Sequence, residues 1–70
     1  MYYWTAKNNS SFLRNRRSAK TLRAAVIAAR KYVCGELYGE GEITFFDASG
    51  NVVRRDEKSI FTAQKWQVRV

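Results

Sequence analysis

Between Arg14 and Arg23 the chain carries Arg14, Arg16, Arg17, Lys20 and Arg23 with no acid among them. Side chains of this type at this density suit phosphate. The planar guanidinium presents paired N–H donors to two oxygens of one group, and lysine adds a point charge. Arg30 and Lys31 follow on the same flank and back of the segment that reads as a helix. Cations at the start of a helix oppose its dipole, so their position there does not serve stability. The expected polyanion site is therefore Arg14, Arg16, Arg17, Lys20, Arg23, Arg30 and Lys31, against the plainer alternative of a solubilising surface.

Catalytic readings find little support. The chain has no histidine and one cysteine, Cys34. Nucleophilic sites that depend on histidine activation, histidine-based metal hydrolysis and an internal disulfide are all excluded. Cys34 reads as a small apolar residue near a helix end. No glycine-rich loop precedes a helix in the manner of nucleotide-binding motifs. Asp47 with Asp56-Glu57-Lys58 matches the acids and lysine of a metal-dependent nuclease, but Asp47 is better placed as a turn former and Asp56 to Lys58 as a solvated loop. The expectation is a non-catalytic protein with no metal site and no cofactor.

The elements that must position the cations are legible from periodicity. Ser18 to Cys34 repeats apolar residues at helical spacing, with Leu22, Val26, Ala29 and Val33 on one stripe and Ala19, Ala25 and Tyr32 beside it. Ser18 is the expected N-cap and Gly35 the expected stop, giving a helix over 19–33. Leu37 would continue the stripe for a further turn before Gly39. Tyr2 to Ala6 alternates as a strand. Asn8-Asn9 suits a tight turn, and Ser11 to Arg16 either returns antiparallel, with Trp4 opposite Leu13, or runs as a loop in which Ser11-Phe12-Leu13 packs one or two apolar residues onto the core.

Glu42 to Asp47 and the residues after Asp47-Ala48-Ser49-Gly50 form the clearest hairpin, pairing Phe46 with Val52, Phe45 with Val53 and Thr44 with Arg54. Arg55 to Ser59 reads as a polar connection. Trp66, Val68 and Val70 alternate with Lys65, Gln67 and Arg69 in a last strand. The order is β-β-α-β-β-β. This is an α+β fold: a mostly antiparallel sheet of four to five strands with one helix packed on one face. The helix-side core would draw on Trp4, Leu13, Leu22, Val26, Ala29, Val33, Ile43, Phe45, Val53, Trp66 and Val68.

That arrangement leaves the other sheet face open, with Tyr3, Phe12, Phe46 and Val52 on it. Two roles follow for these residues. Exposed aromatics near arginine stack unpaired bases, and an uncovered apolar face docks a protein, either a second copy or an acidic partner.

Seventy residues fit a single domain with one thin core, and the net charge is +7. The distribution says more than the total. Every charged side chain before Gly35 is a cation, and all the acids follow it. No apolar run approaches the ~20 residues of a membrane span, and the opening residues MYYWTAK lack a signal-peptide layout, so a cytoplasmic protein with no membrane partner is expected. The hairpin, then Ser18-x-x-x-Leu22-Arg23-Ala24-Ala25, then Asp47-x-x-Gly50 and the late Trp66 resemble the layout of small uncharacterised phage and prophage proteins. The resemblance implies a regulatory or host-directed binder and no activity. The functional expectation is nucleic-acid binding through phosphates, with the protein-interaction module as its alternative.

Overall fold

In the computed structural model, which describes residues Met1–Val70, the chain runs β1 (Tyr2–Lys7), β2 (Arg17–Ala19), α1 (Leu22–Glu36), β3 (Gly41–Phe46), β4 (Val52–Lys58), a 3₁₀ turn (Ile60–Thr62) and β5 (Gln67–Arg69). The strands form one five-stranded antiparallel sheet in the order β2-β1-β3-β4-β5. The α+β architecture with one helix on the sheet is the expected one. Because β2 and β3 both run antiparallel to β1, they are parallel to each other, and α1 is the crossover that such a pair requires.

The helix stripe buries Ala25, Ala29 and Val33 completely and continues into Leu37, which is also buried. Alanine at two of these positions brings the helix close enough for Trp4, Ala6, Ile43 and Phe45 to fill the remaining space from β1 and β3. Leu13, Leu22, Val26, Val53 and Trp66 pack around them as half-buried neighbours. Val68, expected in this core, is 52% exposed, because α1 lies over β1, β2 and β3 and does not reach β5.

Several local expectations are corrected. Ser18 is not the N-cap. It pairs with Tyr3 inside β2, and Thr21 caps α1 three residues later, its Oγ1 accepting the Ala24 N–H at 3.1 Å. The helix also runs through Gly35. Burial of Leu37 favours the extra turn, and the chain then leaves through Tyr38 and Gly39 at φ 58° and 83°, with the Gly39 N–H donating to the Val33 carbonyl.

Ser11 to Arg16 is not the second strand. A tight turn does follow β1, but one residue later than expected: the Asn8 N–H donates to the Ser11 carbonyl at 2.8 Å, with Asn9-Ser10 at the corner. Asn8 Oδ1 accepts the Ser10 and Ser11 N–H groups, and its Nδ2 donates to the Leu37 and Glu40 carbonyls. The chain then travels beside β1 as a loop, touching it at the Lys7–Phe12 pair and the Leu13 N–H to Ala6 bond, before β2 places Arg17 opposite Trp4.

The central hairpin has the expected turn. The Asp47 carboxylate accepts the Ser49 and Asn51 N–H groups, and Gly50 sits at φ 88°, where an L side chain is strained. Phe46 pairs with Val52 as expected. A bulge between Phe45 and Phe46 then shifts the register, so that Phe45 faces Arg54 and Ile43 faces Asp56. A slip of one residue exchanges the faces of a strand. Here it turns Arg54 and Asp56 towards the helix and carries β4 on to Lys58, where a loop was expected.

Candidate nucleic-acid interface

The edge of the sheet is built from the loop before β2, β2 itself and the entry to α1, and all of its charged side chains are cations. Arg14, Arg16, Arg17, Lys20 and Arg23 are exposed there, as is Lys31 further along the helix. Strand alternation sends successive residues to opposite faces. Arg16 therefore lies on the open face, its guanidinium 3.8 Å from the centre of the Phe46 ring. Arg17 lies on the helix side, 5.1 Å from the Tyr32 ring and 5.8 Å from Trp4, which themselves pack at 5.8 Å and 59°. Stacking on a ring fixes a guanidinium without consuming its N–H donors.

None of these cations has an acidic partner. The ion pairs of the protein join Arg30 and Arg54 to Asp56, and Arg69 to Glu57. Phe12, Arg14, Arg16, Arg17 and Tyr32 line a shallow groove along the edge. A second hollow beside Arg16 includes Asp47, whose carboxylate is turned into its own loop. The Asn51 backbone N–H, helped by that of Ser49, outweighs desolvation and holds this carboxyl below its ordinary value. The largest hollow lies at the opposite end of the sheet, where Lys7 and Lys58 mix with Glu40, Glu42 and Glu57. Charges of both signs there leave little net attraction for an anion.

Arg30 leaves the expected site. Its Nε donates to Asp56 Oδ2 at 2.9 Å while Arg54 Nε donates to Oδ1 at 2.7 Å, so both oxygens of the fully buried carboxylate are engaged. The Arg30 guanidinium also lies 4.9 Å from the Trp66 ring, with Lys58 5.7 Å from the same ring. Sequence reasoning missed this cluster, although Arg54, Asp56 and Lys58 alternate as a strand should. Asp47 and Asp56 do not converge either. One closes a turn and the other faces the helix, and no group of acids has the arrangement of a metal site.

The open face also differs from expectation. Phe46 is 9% exposed because Arg16 covers its ring, whereas Phe12 is 67% and Val52 42% exposed and Tyr3 is half-buried. Beyond these, the registers place Thr5, Lys7, Glu42, Thr44, Arg55 and Glu57 on that face, which makes it mostly polar. Compared with family models, characterised proteins and solved structures, the chain matches none, and the edge is read on its geometry alone.

Proposed function

We propose that this chain is a non-catalytic nucleic-acid-binding protein that grips phosphates through Arg14, Arg16, Arg17, Lys20 and Arg23, with Lys31 adding to the field. The observation that carries the reading is the pair Arg16 and Arg17. Two guanidinium groups rest on aromatic rings at one exposed edge, and neither meets a carboxylate. Such groups are preorganised, so less side-chain entropy is lost when phosphate arrives. Affinity of this origin comes largely from counterion release and falls steeply with salt.

The test is fluorescence anisotropy with labelled oligonucleotides at low and moderate salt, using wild type and the double variant Arg16→Glu/Arg17→Glu. Losing two charge-assisted contacts should weaken binding by about 100-fold or more. Arg16→Gln/Arg17→Gln should fall between the two, and circular dichroism should show all three folded. Unchanged affinity in the reversed variant, or no binding by wild type at low salt, overturns the proposal.

A further inference from the structure

We propose that the nucleic acid held at this edge is single-stranded, follows the groove between the loop and α1, and stacks a base on Phe12. The inference rests on the phosphate-binding reading above and assigns its substrate class. It has two independent supports, one from the aromatic residue and one from the direction of the cations.

Phe12 is 67% exposed, so its ring contributes little to the core. Its backbone is nevertheless held in place. Phe12 bridges to Lys7, the Leu13 N–H donates to the Ala6 carbonyl at 2.8 Å, and Leu13 packs against the core. An aromatic side chain open to solvent, on a pinned backbone, shares a groove with Arg14, Arg16 and Arg17. Cationic grooves with an aromatic platform are how proteins hold unpaired strands, because every base offers a π face. In a duplex the base faces are already stacked on one another and have nothing to offer this ring.

The second support is the placement of Arg16 and Arg17 on opposite faces of the sheet, against Phe46 and against Tyr32. A polyanion that touches both must turn around the β2 edge. A single strand bends freely over a few nucleotides, whereas duplex DNA is stiff over roughly 150 base pairs. The three arginines of the groove, with Lys20 and Arg23 beyond it, set the expected footprint at about three to five phosphates, which for a single strand corresponds to a slope of log K against log salt of about −2 to −3.5.

The experiment compares a labelled twelve-nucleotide oligothymidylate with a hairpin duplex, both titrated with the full chain over a salt series. The expected result is tighter binding of the single strand by about tenfold or more. Phe12→Ala should weaken it by about 5- to 150-fold and leave duplex affinity and melting temperature unchanged. Phe12→Trp should restore or strengthen it. Two results overturn the inference while leaving the phosphate reading in place: salt-dependent binding of the duplex as tight as the single strand, or Phe12→Ala without effect on either. Absence of binding to both oligonucleotides at low salt removes the phosphate reading and this inference together.

Discussion

Asp56 is the one charged residue the fold buries completely, and its environment shows how a single side chain ties the helix to the far half of the sheet. Burying a lone carboxylate would cost several kcal/mol, but here Arg30 from α1 and Arg54 from β4 both donate to it. Asp56→Asn keeps the shape and removes the charge. Because Arg30 and Arg54 retain 31% and 25% side-chain exposure, they can turn partly to water, so the expected loss is about 2 kcal/mol and not the larger cost of an orphaned buried ion. A domain of this size holds roughly 7 kcal/mol in total, so thermal unfolding should shift by roughly 10 °C. Glu57→Gln is the control. Its pair with Arg69 is exposed and 3.7 Å long, and its loss should stay within about 0.5 kcal/mol. Equal effects from the two substitutions would show that the buried cluster is not a fastener.

At the scale of elements, the β3–β4 hairpin makes a prediction that depends on pH. Asp47 is ionised more easily in the folded chain, where the Asn51 and Ser49 N–H groups both donate to its Oδ1. A carboxyl lowered on folding stabilises the protein above its unfolded value of 3.8, and that contribution fades as pH falls through the lower folded value. Urea unfolding should therefore show Asp47→Ala destabilised at pH 7, with the gap to wild type closing towards pH 2. Asp47→Asn keeps an acceptor oxygen and should show a smaller gap. A gap independent of pH would mean that the loop shape matters and the charge does not. This turn was legible because Asp-x-x-Gly encodes local hydrogen bonds and one positive φ. The helix stripe was legible because its period is local too. Non-local events were not: the bulge after Phe45 decides which of Arg55 and Asp56 faces the helix, and pairing of Ser18 with Tyr3 removed the apparent cap from α1. The candidate site shows the same division. The arginines were visible as a run, but Arg30 could be separated from them only once Asp56 stood opposite it.

Over the whole molecule, the charge pattern predicts that salt acts in opposite directions on the fold and on its complex. The protein measures 32 × 22 × 17 Å and carries +7, and Arg14, Arg16, Arg17, Lys20 and Arg23 stand together at one edge with no acid among them. At about 0.01 M salt the screening length is ~30 Å, so every cation feels all the others. At about 0.15 M it is ~8 Å, and repulsion is confined to neighbours along the edge. The melting temperature of the free protein should accordingly rise between these conditions, while affinity for an oligonucleotide falls as counterion release is weakened. Arg16→Glu/Arg17→Glu places opposite charges among the remaining cations, so it should unfold at a higher temperature than wild type in low salt and respond less to added salt. Bound oligonucleotide should do the same for wild type by neutralising the edge and by mass action on the folded state. Thermal scans of both proteins across the salt series, with and without oligonucleotide, separate the outcomes. If the reversed variant gains nothing in low salt, the crowded cations do not limit the stability of the fold. If it gains stability and loses binding, the edge is held against its own repulsion, which is the expected signature of cations placed for a ligand and not for the fold.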